Sequence, residues 1–521
     1  MTPDDLILAF ARAEAGSLPV RFKIENEAGD GYVIERKGQG HLITGSNARS
    51  CLHGLYHLQM GRPAGKFKSA FGVRGINTCE SLARHTPEEM RLLIDRMGHW
   101  RMNALVVHVS YGWRRQRDLI IAECAKRGID LVFYVYANLA FLPPDAPARW
   151  FAKREDGTPI TKQLECETRL CLAEPEGLRA SDEGAERFFR DEAGPAASLV
   201  ATTGDGYSHC RCPRCRSLSP TEQFQPILKN FIDTGRRLVP GKRLESLIYV
   251  NRYRPPAQMA IHNRLDAVLF DDHVRMRWRA LGEEHPAMTN PENYVDPSSV
   301  GVPINVYLAD RLAEWRAKFH GGVAIFDNLQ LHSTCSCPQP NTGALLRDMR
   351  RASRLGVGGM IFEMLTGPTY FLDQMGVLSD VMWNLDIPYQ PSRSEGWCSE
   401  HCPPGPLFFL ESYGFPWKEF RGDFEETLQQ HMHNLRELDR APSGANVKKL
   451  IEHMYRDPLR FDRQATAFRY LKQFNNRTPV SGLTPAEANF LARAKLWDVM
   501  EPMKDPIAET DAIVQGILRR L

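Results

Sequence analysis

The sequence predicts an α/β protein built around a closed (β/α)8 barrel of the TIM type. Over about 300 residues from Phe71, strand-like apolar runs alternate with amphipathic helical segments. Each strand-like run is continuous in Val, Ile and Leu, which is typical of parallel strands covered on both faces. We count eight such runs, and eight strand–helix repeats are the number that closes a parallel sheet into this barrel.

Local signals support the individual elements. Before the barrel, the strand-like stretches PVRFKIEN, GYVIERK and HLITG precede a helical stretch, NARSCLHGLYHLQM. Within the barrel, Thr86 is placed as the N-cap of one helix and Gly128 closes the next. Past about Tyr370 the strands stop and helical segments follow, and this part is a place where dimerisation could occur. The predicted domains are a small α/β domain at 1–68, the barrel at 69–370 and a helical C-terminal domain at 371–521.

Composition argues against several classes of partner. The 521 residues carry a net charge of +3, so no strong basic bias indicates nucleic acid or an anionic membrane as a partner. No apolar run reaches about 18 residues, so the sequence predicts no transmembrane helix. The first residues, MTPDDLILAFARAEAG, have acids where a signal peptide has basic residues. We therefore expect a cytoplasmic protein.

Carboxylates follow five of the eight predicted strands. Barrels of this kind place their active groups at the C-terminal ends of the strands. One carboxylic acid that protonates a leaving oxygen, with a second group that stabilises or attacks the oxocarbenium-like centre, is the usual way to cleave a glycosidic bond. For any single acid the alternative is a salt bridge or a helix N-cap. The predicted catalytic residues are Asp205, Glu363, Asp271 and Asp272, and the predicted sugar-binding residues are Arg74, Glu80, His108, Tyr249, Asn251, His273, Asp327 and Asn328.

Within that set, Asp205 and Glu363 are the first choices for the acid and stabilising roles. Asp205 follows an apolar run that stops at a Gly-Asp-Gly turn. Asp271 and Asp272 are adjacent, and neighbouring residues of a strand point to opposite faces. If both converge on one site, repulsion raises the pKa of one of them. Alternatively, one faces inward and the other pairs with a nearby arginine.

The segment HCRCPRC is a possible structural zinc site, because thiolates and imidazoles are the ligands that zinc prefers. His209 is adjacent to Cys210, and adjacent residues rarely bind the same ion, so the fourth ligand is expected from elsewhere. Reduced structural thiols and a disulfide are the alternatives. The three proposed ligands are Cys210, Cys212 and Cys215, with the fourth from Cys335 or Cys337, whereas Cys51, Cys79, Cys124, Cys166 and Cys171 are expected to be buried thiols.

Five blocks occur in an order that resembles the domain of unknown function 4838, typified by glycoside hydrolase family 163. They are RWFAKREDG, TRLCLAEPEG, TTGDGYSHCRCPRC, LIYVNRYRPP and GVGGMIFEM. The stretch ITGSNARSCLHGLYHLQ similarly looks like the small α/β domain that precedes the barrel in glycoside hydrolase families 20 and 67. The resemblance implies a retaining β-N-acetylglucosaminidase in which the acetamido oxygen of the substrate is the nucleophile. By position, Asp205 lies on the matching Asp-Gly block and Glu363 on the matching acid of the last strand.

The resulting hypothesis is an exo-acting glycoside hydrolase of carbohydrate metabolism that takes a small β-N-acetylhexosaminide. It needs no cofactor for catalysis, and a homo-oligomer is compatible with it. One alternative is an inverting glycosidase acting on an acidic, uronic-type sugar, which needs Arg74, Arg252 or Arg275 aimed into the pocket. A second alternative is a non-catalytic carbohydrate-binding barrel.

Overall fold

The computed structural model of this chain describes most of the barrel and parts of the C-terminal region. The described residues are 2–78, 82, 85–109, 112–137, 140–143, 145–160, 169–203, 209–272, 279–284, 301–328, 342–363, 372–388, 443–455, 467–468, 471–472, 474–476, 478–493, 497–500 and 502–521.

The chain begins with a small α/β unit, in which two helices accompany a four-stranded sheet. Its strand order is β1-β3-β2-β4, with β1 parallel to β3 and β2 antiparallel to both of its neighbours. Buried apolar side chains of the helices and of β2 and β3 form its core. The elements are α1 (Pro3–Ala15), β1 (Val20–Ile24), β2 (Gly31–Lys37), β3 (Gly40–Gly45), α2 (Ala48–Gln59) and β4 (Gly65–Lys68).

Eight parallel strands then close into a barrel, as the sequence predicts. Closure is made by the last strand pairing with the first, with Glu363 opposite Asn77. The first strand ends at Asn77, three residues earlier than the predicted end at Glu80. The strands are β5 (Val73–Asn77), β6 (Ala104–His108), β7 (Asp130–Tyr136), β8 (Ser198–Thr202), β9 (Arg243–Ile248), β10 (Ala267–Asp271), β11 (Gly322–Asn328) and β12 (Gly359–Glu363).

Helices surround the barrel, and their ends follow the predicted signals. Thr86 caps its helix with a capping box completed by Glu89, and Gly128 ends the next helix in the left-handed conformation at φ 66°. None of the described helices is both long and apolar enough to cross a bilayer. The helices are α3 (Pro87–His99), α4 (Trp113–Arg127), α5 (Pro175–Asp191), α6 (Pro220–Leu238), α7 (Ile304–Lys318), α8 (Thr342–Arg354), α9 (Leu372–Trp383), α10 (Gly444–Tyr455), α11 (Pro485–Ala492), α12 (Trp497–Met500) and α13 (Pro506–Arg520).

A buried ion pair joins the small unit to the N-terminal end of the barrel. Arg74 in β5 donates from Nη2 to Oδ2 of Asp30 at 2.6 Å, and Asn103 donates to the same oxygen at 3.0 Å. Arg49 approaches the other carboxylate oxygen at 3.2 Å. Burial raises the pKa of Asp30, but the charges of Arg49 and Arg74 outweigh it and hold that pKa well below its usual range.

The prediction that Arg74 binds sugar is therefore wrong. Its guanidinium is fully buried and donates to Asp30, to the Arg101 carbonyl at 3.0 Å and to the Phe71 carbonyl at 2.7 Å. It also lies 4.8 Å from the ring of Trp383. These partners are at the end of the barrel opposite to the C-terminal ends of the strands, so Arg74 joins the small α/β unit to the barrel and does not face the predicted site.

His262 gives the fold a predictable response to acid. It is fully buried beside Trp315, and burial lowers its pKa from 6.5 to about 3. The unfolded chain therefore binds a proton between these pH values that the native chain does not. We expect the free energy of unfolding to fall by about 2–3 kcal/mol from this residue as the pH drops from 7 to 4.5. Urea unfolding of His262→Leu should show that much less pH dependence, whereas the same change at the exposed His320 should leave the dependence unaltered.

Candidate active site

The alternation of side chains along each strand decides which predicted residues face the barrel interior. The inner layer contains Val106, Tyr134, Leu247, Leu269, Phe326 and Ile361, each on a different strand. Residues two positions further on share that face, since successive side chains of a strand point to opposite sides. The inner face at the C-terminal ends therefore carries Asn77, His108, Tyr136, Thr202, Tyr249, Asp271 and Glu363.

Glu363 is the best-placed carboxylate of the described residues. It is the last residue of β12, is only 3% exposed and lies on the inner face with Ile361. Asn77, at the end of the neighbouring β5, donates from Nδ2 to Oε1 of Glu363 at 3.0 Å. This hydrogen bond orients the carboxyl group. The barrel closure itself brings these two residues together, although 286 positions separate them.

Asp271 and Asp272 take different positions. Asp271 ends β10 on the inner face with Leu269, and it is 2% exposed. Asp272 lies just beyond the strand, and its N–H continues the ladder by donating to the Phe326 carbonyl at 3.2 Å. That bond keeps the alternation for one more residue, which places the Asp272 side chain on the outer side with Phe270. Of the two alternatives, the structure favours a single inward acid, Asp271.

Asp327 is on the wrong face for the predicted sugar-binding role. The inner-facing residues of β11 are Ala324 and Phe326, and the outer-facing ones are Val323 and Ile325. Asp327 shares the outer face and is fully buried there. The prediction failed because it assigned both Asp327 and Asn328 to the site, whereas adjacent residues of a strand point to opposite faces and β11 continues to Asn328.

Aromatic rings line the inside of the barrel two and three strands away from Glu363. The imidazole of His108 stacks on the ring of Tyr134, with centroids 4.0 Å apart and an interplanar angle of 18°. Tyr136 meets both rings edge-on, at 5.4 Å from His108 and 5.3 Å from Tyr134. Tyr249, just past β9, belongs to the same inner layer. The predicted roles of His108 and Tyr249 thus have the required location, beside any ligand that enters the barrel mouth.

Two arginines add positive charge near the end of β9. Arg252 is fully buried, and its Nη2 donates to Thr202 Oγ1 at 3.1 Å and to the Leu247 carbonyl at 2.9 Å. Burial and the neighbouring charge of Arg169 lower the pKa of Arg252 to about 9. Arg169 donates from Nη1 to Asn251 Oδ1 at 3.1 Å, so the predicted sugar-binding residue Asn251 lies in this cluster.

Several predicted residues are not among those the structure describes. Asp205, Glu80 and His273 fall in undescribed segments, as do Arg275, Cys335 and Cys337. The backbone of Asn328 is described as the end of β11, but its side chain is not. Their roles stay predictions. Thr202, the last residue of β8, is three positions before Asp205 in the sequence and faces the barrel interior.

A compact group of four thiols lies on the same side of the barrel. Cys171, Cys210, Cys212 and Cys215 are all buried, and their Sγ atoms lie within 4.8 Å of one another. All four are free thiols, so the disulfide alternative does not apply to them. Such a group could hold a metal ion. Among the described residues, the fourth member of the group is Cys171, which was expected to be a separate buried thiol, and His209 is not part of the group. Cys335 and Cys337, the expected fourth partners, lie outside the described residues.

Sequence analysis missed two residues that the fold brings into the site. Asn77 carried a readable signal, because an amide at the end of a barrel strand is a typical ligand-facing group, but the strand was extended past it to Glu80. Cys171 carried none. It is 39 positions from Cys210, and only the path of the long connection after β7 brings the two thiols together.

Comparison with known proteins gives a likeness of fold. No protein-family profile and no curated protein sequence matches this chain. The resemblance to domain 4838 and family 163 therefore stays a prediction. Among solved structures, a β-N-acetylhexosaminidase from Bacteroides fragilis has a TM-score of 0.50 at 12% identity, over 79% of this chain and 92% of that one.

Two further structures have the same kind of likeness. An N-acetyl-β-hexosaminidase from Streptomyces plicatus matches with a TM-score of 0.48 at 12% identity, over 74% of this chain and 84% of that one. A glycoside hydrolase family 20 exo-β-N-acetylglucosaminidase from Vibrio harveyi matches at 0.47 and 12%, over 79% and 73%. The class that the fold and site define is an α/β barrel with carboxylates at the mouth.

Proposed function

We propose that this chain is an exo-acting glycoside hydrolase that takes a small β-N-acetylhexosaminide. The observation that carries the proposal is the pair of inward carboxylates, Glu363 and Asp271, at the C-terminal end of a closed barrel, with Asn77 bound to Glu363. Carboxylate pairs in that place are the groups that glycosidic cleavage needs. The similar fold of the Bacteroides fragilis β-N-acetylhexosaminidase supports the same choice of substrate class.

In the proposed reaction, one carboxylic acid donates its proton to the glycosidic oxygen as the bond to the anomeric carbon breaks. The acetamido oxygen of the same sugar attacks that carbon and forms a cyclic oxazolinium intermediate. Water then opens the ring, returning a proton to the conjugate base, and the product keeps the configuration of the substrate. Glu363 and either Asp205 or Asp271 are proposed to share the acid and stabilising roles, and Asn77 holds the Glu363 carboxyl in place.

One observation, the buried guanidinium of Arg252, supports the alternative of an inverting enzyme that acts on acidic sugars. Among the described residues, Nε and Nη1 of Arg252 have no hydrogen-bond partner, although the group is fully buried. A buried guanidinium with open donors suits a substrate carboxylate. Asp271 and Glu363 lie two strands apart, about 10 Å between backbones, which allows the carboxyl separation of roughly 6.5–9.5 Å that inversion requires.

A panel of 4-nitrophenyl glycosides tests these possibilities. We expect the purified chain to hydrolyse the β-N-acetylglucosaminide at least 100-fold faster than the β-glucoside, because only the former carries the acetamido nucleophile. Proton NMR should show that the β-anomer is released first. Faster turnover of the β-glucuronide, with inversion, would favour the acidic-sugar alternative. Binding of N-acetylglucosamine without turnover of any glycoside would favour a non-catalytic barrel, and Asp205→Asn serves as the comparison for loss of turnover.

The remaining features of the proposal concern cofactor, location and partners. Hydrolysis by carboxylates needs no cofactor, so any metal held by the cysteine group is structural. A cytoplasmic location agrees with the six described cysteines, which are all free thiols. The proposed partner is the carbohydrate substrate, and neither nucleic acid nor a membrane has a part in the reaction.

A further inference from the structure

Four buried thiols come from two different connections at the C-terminal side of the barrel. Cys171 lies near the end of the long segment between β7 and α5. The other three, Cys210, Cys212 and Cys215, lie in the connection between β8 and α6. Antiparallel bridges between Phe151 and Leu170 and between Lys153 and Pro159 shape the first connection.

The distances between the sulfur atoms fit a tetrahedral ion. Zinc–thiolate bonds of about 2.3 Å place the sulfurs of a tetrahedron about 3.8 Å apart. In the structure, Cys171 Sγ lies 3.7 Å from Cys212 Sγ and 3.5 Å from Cys210 Sγ. A disulfide needs about 2.05 Å. The sulfurs are therefore too far apart for bonds between them and close enough for one ion to contact all four.

The surrounding groups hold the thiols in this arrangement. The Lys153 N–H donates to Cys210 Sγ at 3.3 Å, a contact that stabilises a thiolate. The Gln223 side chain from α6 accepts from the Cys210 N–H at 3.0 Å and donates to the carbonyls of Cys210 and Cys215 at 3.1 and 3.0 Å. Outer hydrogen bonds of this kind fix the ligand-bearing loop of a metal site. The apolar side chains of Ala152, Ile160 and Leu172 close the cluster against water.

We propose that Cys171, Cys210, Cys212 and Cys215 bind one structural Zn²⁺ ion that clamps the connection after β7 to the connection after β8. Zinc is chosen because four thiolates in a closed, buried tetrahedron are its typical structural site. Cys210 is five residues after Asp205 in the sequence, so the ion anchors one end of the segment that carries the proposed acid. The proposal stands on the thiol geometry and is independent of the proposed hydrolase activity.

The test measures metal in the full-length protein. We expect the purified chain to contain about one zinc ion per molecule by inductively coupled plasma mass spectrometry. After dialysis against a chelator, Cys171→Ser should retain less than about a tenth of it, because a three-thiolate site is open and weak. Cys124→Ser is the matched control, since Cys124 is a buried thiol of α4 outside the cluster, and it should keep its zinc.

A second measurement, on the wild-type protein, tests the proposal even if Cys171→Ser fails to fold. Wild-type protein refolded with Co²⁺ in place of Zn²⁺ should show the visible bands of tetrahedral cobalt and the intense charge-transfer absorption of four thiolates. Wild-type protein that contains no zinc and gives no such cobalt spectrum would overturn the proposal. So would a disulfide within the cluster by mass spectrometry, or full zinc content in folded Cys171→Ser. Because none of these readouts depends on turnover, they are separable from failure of the hydrolase proposal.

Discussion

Replacing Glu363 with Gln is expected to lower kcat on the aryl β-N-acetylglucosaminide by a factor of about 10²–10⁴, the usual contribution of a positioned acid or base. The amide keeps the size of the side chain and can still accept the hydrogen bond from Asn77 through its oxygen. It can neither donate a proton of carboxylic acidity nor carry negative charge. The loss should therefore fall on kcat, with KM changed by less than about threefold.

Leaving groups of different acidity separate the two roles open to Glu363. If Glu363 is the general acid, Glu363→Gln should lose little rate on a 2,4-dinitrophenyl glycoside, whose leaving group needs no proton. If it stabilises the positive charge, the loss should be similar for every leaving group. Both results agree with the proposal. The matched control is Glu245→Gln, since Glu245 is a buried glutamate near the start of β9, held by Arg243 at 2.9 Å. Equal activity of wild type and Glu363→Gln would rule out a catalytic role for Glu363.

Asn77 acts on the reaction only through Glu363, so it is a positioning residue. Its side chain is fully buried and holds one carboxylate oxygen, and that contact exists only because β12 pairs with β5. The pairing of Glu363 with Asn77 could not be predicted from the sequence. The acid at the end of the last strand is readable from GVGGMIFEM, but its partner 286 residues away depends on barrel closure.

The fold was predictable because its signals are local. Helix caps such as Thr86 and Gly128 act within one turn, and continuous apolar runs define buried parallel strands. The faces of the strands were less predictable, because side-chain direction alternates with every residue. Asp327 and Asn328 were both assigned to the site, although adjacent residues of β11 face opposite sides, and an error of three residues at the end of β5 hid Asn77.

Long-range contacts account for the remaining failures. Arg74 looked like a candidate for substrate binding because arginines suit anions and sugar hydroxyls. Its actual partner, Asp30, comes from a turn of the small unit 44 positions away. Cys171 looked like an isolated thiol because its three companions are on another connection. Neither the contact between Arg74 and Asp30 nor the grouping of Cys171 with the other three thiols can be read from a periodic pattern in the sequence.

Substituting Asn for Asp30 is expected to destabilise the chain by about 3–5 kcal/mol, because it leaves the fully buried guanidinium of Arg74 without its countercharge. Arg74→Met should cost less, since Asp30 keeps Arg49 and Asn103 as partners. The double variant should be more stable than the sum of the single losses implies, because two buried groups that depend on each other are removed together. Urea unfolding of the four proteins gives the coupling free energy.

An exposed ion pair in the same small unit is the control for this double-mutant cycle. Lys23 and Glu25 are 2.5 Å apart, with side chains 58% and 52% exposed, so water screens the contact. Glu25→Gln should change the free energy of unfolding far less than Asp30→Asn does. Activity gives the second readout, because folded Arg74→Met should keep the wild-type KM. If Arg74→Met instead raised KM more than about tenfold and left the stability unchanged, Arg74 would have to contact the substrate. That result would contradict its position at the opposite end of the barrel. These variants therefore test whether the two ends of the barrel have different roles. The charged pair at the N-terminal ends of the strands would contribute to stability, and the carboxylates at the C-terminal ends would contribute to catalysis.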